Sequence, residues 1–312
     1  MNTAFFGAPD FAAPVLNKLA KSGELSVTKV ITKPSSPVFQ QANRLGIPTL
    51  TLEELLAKIA TSQTPPADIF IVAAFGKILS KELINLPKCK TLNIHPSLLP
   101  KLRGPSPIKT ALLENHKKTG VTIIQMDEKM DHGPILAQAE VALTGKETFT
   151  DLAPKLFTLG AELLIEILPR WKDYCDAQTV SSKPFLSHSS IPSSPTRTYL
   201  PPKSQDHQAA TFTKMLTRED GKIDWEKPAE EIDSMVRALN PWPGAWTTLA
   251  AFGTLDAAKA QGLKRKAQNS GKNKVKILKS HIDKNSKLVI DKLQVEGKKP
   301  ISWGEFKAGY LR

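Results

Sequence analysis

The stretch Thr91-Leu92-Asn93-Ile94-His95-Pro96-Ser97-Leu98-Leu99-Pro100 is the most informative in the chain. Its first five residues read as a short buried strand, which Pro96 ends because proline offers no N–H to a sheet. Side chains two apart on a strand share a face, so Asn93 and His95 point together while Leu92 and Ile94 enter the packing. Similar apolar runs lie upstream at Thr3–Phe6, Leu25–Ile31 and Ile69–Ala74. Between and after them, Phe11–Ser22, Leu50–Ala60, Lys81–Leu86 and Pro107–Leu113 have helical periodicity. Strand–helix–strand alternation predicts an α/β fold with an open, mostly parallel, Rossmann-like sheet and helices on both faces. Ligands of such sheets collect at the carboxyl ends of the strands, where Asn93 and His95 are expected.

Further along, Val121–Met126 and Ile135–Ala142 read as strands, and a long helix over Thr150–Ile167 is predicted to stop near Pro169. From Ser181 onward proline and serine accumulate, which predicts a semi-extended linker over 181–206. It would separate a first domain, 1–180, from a smaller second one, 207–312. In that second domain Ala229–Leu239 has Ile232, Met235, Val236 and Leu239 at helical spacing. Ala245–Ala251, Val275–Leu278 and Lys287–Ile290 read as short strands of a small β-barrel, with Trp242 and Trp246 as barrel-core aromatics in preference to platforms for a stacked base.

The chain has 312 residues and a net charge of +13, unevenly spread. Residues 1–205 carry 23 − 17 = +6, and residues 206–312 carry 20 − 13 = +7 in about half the length. Within the second part, Lys264 to Lys299 holds 12 basic residues against 3 acidic ones, which points to a face that meets a polyanion. No apolar run is long enough to span a membrane. Met1-Asn2-Thr3-Ala4-Phe5-Phe6-Gly7 has neither a basic leader nor a long apolar stretch, so a cytoplasmic protein is expected. Two cysteines, Cys89 and Cys175, make no disulfide framework.

A second polar cluster is Gln125-Met126-Asp127-Glu128-Lys129-Met130-Asp131-His132-Gly133-Pro134, an acidic loop after a strand. A carboxylate there could hold His95 or relay a proton, and spacing leaves Asp127 and Asp131 equivalent. Phe6-Gly7-Ala8-Pro9-Asp10-Phe11 turns from strand to helix with one glycine, short of the pattern that admits a pyrophosphate. No Walker loop, HExxH or paired Cys/His spacing occurs, so no metal is expected.

Taken together, Asn93 through Pro100, Arg103-Gly104, Gly120-Val121-Thr122, and Met126-Asp127 through Asp131-His132-Gly133 resemble the methionyl-tRNA formyltransferase family, within the folate-dependent formyltransferases. Phe6 through Phe11 and Val72 through Leu79 agree, as do Lys214 through Trp225, Arg237 through Ala245 and Glu296 through Pro300. The resemblance covers nearly the whole chain except Ser181–Thr198, which looks like an insertion. It implies a one-carbon transferase that moves the formyl group of 10-formyltetrahydrofolate to the α-amino group of methionyl-initiator tRNA, for the start of protein synthesis. It also implies a monomer whose second domain is an OB-like barrel that binds tRNA.

Carried onto this sequence, the family's catalytic residues are Asn93, His95 and Asp131, the last by its Asp-x-Gly position. The folate would lie against Phe75, Gly76, Ile78, Met126 and Gly133 on one side and Ser97, Leu98, Leu99 and Pro100 on another. The tRNA would meet Arg103 and the basic residues Lys264, Arg265, Lys266, Lys272, Lys274, Lys276 and Lys279. One departure bears on how the acceptor stem is read. The family's long basic loop after the second strand is mostly missing, because Thr32-Lys33-Pro34-Ser35-Ser36-Pro37 runs directly into Val38-Phe39-Gln40.

Overall fold

Strands between Asn2 and Lys203 build one sheet, and the basic region from Ala245 onward builds another. A computed structural model describes residues 1–61, 67–180, 196–249 and 274–310. Strands β1 (Asn2–Gly7), β2 (Ser26–Ile31), β3 (Thr49–Leu50), β4 (Ile69–Ala73) and β5 (Thr91–His95) are joined by α1 (Ala13–Ala20), α2 (Pro37–Arg44), α3 (Leu52–Ala60) and α4 (Lys81–Asn85). Then come α5 (Pro107–Leu113), β6 (Lys118–Gln125), β7 (Ile135–Ala142), α6 (Phe149–Val180) and β8 (Thr196–Lys203). The last third holds α7 (Ala229–Leu239), β9 (Ala245–Thr248), β10 (Lys274–Ile282), β11 (Leu288–Val295), β12 (Ile301–Ser302) and α8 (Trp303–Tyr310).

The first sheet has the order β3-β2-β1-β4-β5-β6-β7-β8. Pairing is parallel from β3 to β5 and antiparallel from β5 to β8. The predicted mixed α/β architecture is therefore present, with β5 at the seam where the strand direction changes. The second sheet is antiparallel, in the order β12-β11-β10-β9. The chain divides into two compact units. The first contains Met1–Pro107, Lys118–Ala142 and Leu152–Lys214; the second contains Ile108–Lys117, Leu143–Asp151 and Met215–Arg312.

In the first unit Ala4, Phe6, Ile31, Phe70, Val72, Phe75 and Leu79 form one buried cluster over the parallel strands. The second unit packs Ile232 and Val236 of α7 and Phe306 of α8 against Val275, Ile277, Ile290, Leu293 and Val295 of its sheet. No described helix is long and apolar enough to cross a membrane.

Three sequence expectations are corrected here. Helix α6 passes through Pro169 and continues to Val180. A proline costs a helix interior about 3 kcal/mol, but Leu164, Leu168, Trp171 and Cys175 keep one buried stripe running across it. Trp171 Nε1 also donates to the Cys89 carbonyl at 3.1 Å, and Lys88 pairs with Asp176 at 2.9 Å. The last residues of the expected linker, Thr196–Lys203, form β8 and pair with β7. Trp242 is 49% exposed rather than part of a core.

Sequence reading also passed over α2 and β3. Ser36 caps α2 by accepting from Phe39 N at 3.0 Å. Thr51 and Glu54 form a capping box that separates β3 from α3. The connection from β2 to α2 is only residues 32–36, as the run from Thr32 to Pro37 suggests.

Candidate active site

β5 alternates as its sequence requires. Leu92 and Ile94 are buried apolar residues, Asn93 is half-buried, and His95 is buried. Behind His95 the chain is pinned from the neighbouring strands. Thr122 Oγ1 on β6 donates to the Ser97 carbonyl at 2.6 Å and accepts from Leu99 N at 3.2 Å. Gln138 Nε2 on β7 donates to the Leu99 carbonyl at 2.8 Å, and Ser97 Oγ donates to the Lys101 carbonyl at 2.7 Å. Ser97, Leu98, Leu99 and Pro100 thus form a fixed turn beside the strand end.

The loop between β6 and β7 leaves near the start of β5, where Met126 N donates to the Thr91 carbonyl at 2.8 Å. It then folds back along β5, so Asp131 reaches both Asn93 and His95 on that strand. Asp131 Oδ1 lies 3.4 Å from Asn93 Nδ2 and 3.4 Å from His95 Nδ1. Its other oxygen accepts from Gly104 N at 2.7 Å. The second ring nitrogen of His95, Nε2, lies 3.0 Å from the Leu102 carbonyl.

Asp131 has φ +50°, a left-handed conformation that costs a side-chain-bearing residue about 1–2 kcal/mol and that Asp tolerates better than most. Strain at a residue that joins two others is characteristic of functional loops. Burial pushes the Asp131 carboxyl up, but the His95 ring, the Gly104 N–H and the Arg103 guanidinium outweigh it and hold the pKa below the ordinary aspartate value. A carboxylate so depressed stabilises the fold above the unfolded value of about 3.9, and that contribution is lost as pH falls through the lower folded value.

The structure separates the two aspartates that spacing left equivalent. Asp127 is tied to His132 Nδ1 at 2.6 Å and to Lys129 N at 3.0 Å within its own loop. Gly133, two residues past Asp131, sits where a Cβ would collide with the Gln125 carbonyl. Met126 packs on the cluster that contains Phe75 and Leu79, and a Lys81–Glu128 ion pair ties the same loop to the start of α4. Gly76 is exposed at φ +72° and Ile78 is 85% exposed, so an apolar wall is left open there. Met130 on the acidic loop is 56% exposed.

Two groups that sequence reasoning missed complete the surroundings. Gln205 is buried, and its Nε2 donates to the carbonyls of Asp131 and Gly133 at 2.9 and 2.7 Å. Arg103, expected at the tRNA, is only 3% exposed, and its Nε and Nη2 donate to Gln205 Oε1 at 3.2 and 2.7 Å. His207 Nδ1 lies 2.9 Å from the same Nη2, and its ring stacks on His132 with centroids 3.9 Å apart. No local signal could have found Gln205, because its partners lie more than 70 residues away.

Of the basic residues expected to meet tRNA, Lys264, Arg265, Lys266 and Lys272 lie outside the described residues. Lys274, Lys276 and Lys279 are on β10. Lys274 Nζ sits 4.0 Å from the centre of the Trp246 ring, and Lys276 Nζ donates to the Pro241 carbonyl at 2.8 Å. Lys279 is exposed and faces exposed Lys292 across the β10–β11 ladder. Like charges directly opposite each other destabilise a sheet, which leaves this face suited to an anionic partner. Elsewhere, a shallow depression on α1 and α6 is lined by Lys18, Lys21, Thr158, Glu162 and Glu166. Its Lys18–Glu162 ion pair at 2.7 Å offers no reactive group.

Residues 1–168 match the family described as formyl transferase, and residues 215–311 match the formyl transferase C-terminal domain. The chain belongs to the formyl transferase family. A protein named methionyl-tRNA formyltransferase from Roseiflexus sp. (strain RS-1) is 40% identical over 79% of this chain and 73% of its own length. One of the same name from Bacillus velezensis is 34% identical over 98% of this chain and 93% of that relative. Among solved structures, a methionyl-tRNA formyltransferase from Clostridium thermocellum covers 95% of this chain and 98% of that chain, at TM-score 0.58 and 16% identity. A sugar N-formyltransferase from a Shewanella species aligns with TM-score 0.57 and 16% identity over 80% of this chain and 92% of its own. Both structural likenesses speak to the fold alone.

Proposed function

We propose that this enzyme transfers the formyl group of 10-formyltetrahydrofolate to the α-amino group of methionyl-initiator tRNA. It would act as a monomer in the cytoplasm, with the 1–180 part catalysing transfer and the 207–312 part holding tRNA. The observation that carries the reading is the position of Asp131 Oδ1, 3.4 Å from each of Asn93 Nδ2 and His95 Nδ1. Hydrogen bonds between catalytic groups are often this long before a reacting group enters and shorten around it.

Phe75, Gly76, Ile78, Met126 and Gly133 would hold the pterin, with Ser97, Leu98, Leu99 and Pro100 as the other wall. The donor supplies a formyl carbon already activated by its nitrogen. An α-amino group has an ordinary pKa of about 7.7–8.0, so a fair fraction is neutral near pH 7.5 and no covalent enzyme nucleophile is needed. Asn93 donates its amide N–H toward the formyl oxygen as negative charge gathers there, an interaction typically worth ~2.7–4 kcal/mol. Because Leu102 O engages His95 Nε2, Nδ1 is the nitrogen that faces the reacting atoms. The amine nitrogen bonds to the formyl carbon as the bond from that carbon to the folate nitrogen breaks, and Asp131, which orients the His95 ring, helps carry the amine's proton to the departing nitrogen.

The test is formyl transfer by purified protein from 10-formyltetrahydrofolate to three acceptors: methionyl-initiator tRNA, methionyl-elongator tRNA and an amino-sugar nucleotide. The initiator should have the highest kcat/KM. Preferred transfer to the sugar nucleotide would overturn the acceptor assignment.

The exposed lysines give a further prediction. Lys279→Glu with Lys292→Glu should raise KM for tRNA and leave kcat unchanged. For every phosphate that is no longer neutralised, the slope of log affinity against log salt should become shallower by about 0.7–0.9. An unchanged salt slope would remove this face from the interface.

A further inference from the structure

The proposed chemistry depends on a carboxylate held in a strained loop, and a single buried side chain from a distant segment holds that loop. Gln205 is 5% exposed and lies just past β8. Its two amide N–H groups go to the carbonyls of Asp131 and Gly133, and its oxygen accepts twice from Arg103. An amide has two donors and two lone pairs, so every hydrogen-bonding position of Gln205 is filled.

We propose that Gln205 is a positioning residue for the transfer reaction, locking the Asp131 loop against the Leu102–Gly104 segment so that the carboxylate stays on Asn93 and His95. This rests on the reading of the site as a formyl-transfer centre. The segment it grips through Arg103 touches the catalytic groups twice, with Leu102 O at His95 Nε2 and Gly104 N at Asp131 Oδ2. Arg103 N and O are themselves paired with Thr211 O and Thr213 N at 2.9 and 2.7 Å, so this anchor is rigid. One amide therefore fixes both supports of Asp131 relative to each other. Glutamate at this position would keep Arg103 but face two carbonyls without a donor. Alanine would release both supports.

The experiment compares the parent, Gln205→Ala, Gln205→Glu, Asp131→Asn and the Gln205→Ala/Asp131→Asn double variant by single-turnover and steady-state formyl transfer. Displacing a catalytic group by about 1 Å costs on the order of 100-fold, so either Gln205 variant should lose about 30- to 100-fold in kcat, with KM for both substrates within about 3-fold. Added to Asp131→Asn, Gln205→Ala should change the residual rate by less than about 3-fold, because residues acting through one group are not additive. Parental kcat in both Gln205 variants would overturn the proposal. So would an equal fold-loss from Gln205→Ala with and without Asp131, which marks a general structural role. If Gln205→Ala does not fold, the same comparison is made with Gln205→Glu, which preserves the volume. Parental turnover by Asp131→Asn would instead overturn the site reading beneath the proposal.

Discussion

Alanine at Asn93 or at His95 is expected to slow formyl transfer by about 10²–10³-fold in kcat, with tRNA affinity unchanged. The two variants differ in what else they disturb. Asn93 is half-buried and its amide approaches Asp131 at 3.4 Å, so removing it takes away a donor and little packing. His95 is 3% exposed and engages both Leu102 O and Asp131 Oδ1. Truncating it strands buried acceptors at about 1–3 kcal/mol each, so this variant should also melt earlier. The double variant should be scarcely slower than the worse single one, since the groups act as a unit. Labelled-formyl transfer, filter binding of tRNA and thermal melts separate these effects. Near-normal turnover in either single variant would remove the roles assigned.

Gly133→Ala is expected to lower kcat by about 100-fold, and the melting temperature with it. A Cβ at Gly133 would run into the Gln125 carbonyl oxygen and crowd its carbon, and both belong to backbone at the end of β6. Backbone cannot swing aside as a side chain end can, so the loop must move. Asp131 lies two residues away and Gly133 O is one of the anchors of Gln205. The shift would therefore reach the carboxylate that faces Asn93 and His95. Gly304→Ala on α8 is the matched control. Its Cβ would meet nothing closer than Ser302 Oγ at 3.9 Å, so activity and stability should be kept. Full activity in Gly133→Ala would show that the loop tolerates displacement and that Asp131 is not held as tightly as the geometry implies.

Much of this arrangement was legible in the chain because it follows local rules. The bounds of β5, β7 and α7 follow from alternation, helical spacing and proline stops, and the shared face of Asn93 and His95 follows from the two-residue repeat of a strand. Asp131 was reached only through a family pattern. Nothing in its spacing shows that the loop folds back along β5, or that Asp127 is spent on His132. Pro169 misled because local propensity yields to burial, and Trp171 and Cys175 supply that burial from beyond it. Arg103 was placed at the tRNA only by the family resemblance. Its hydrogen-bonding partner in the fold, Gln205, comes from the far end of what read as a linker. Lys292 faces Lys279 only through the β10–β11 register, which includes bulges that no sequence rule fixes.

The most direct test lies at Asp131, where one carboxylate oxygen gathers Asn93 and His95 of β5. The measurement is the single-turnover rate of labelled formyl transfer to methionyl-initiator tRNA by Asp131→Asn, with both substrates saturating and tRNA affinity measured in parallel. Asparagine keeps the shape of the side chain but cannot take a proton from the amine. The account predicts parental tRNA affinity and a transfer rate lower by about 10²–10⁴-fold. A transfer rate within a few-fold of the parent would contradict it.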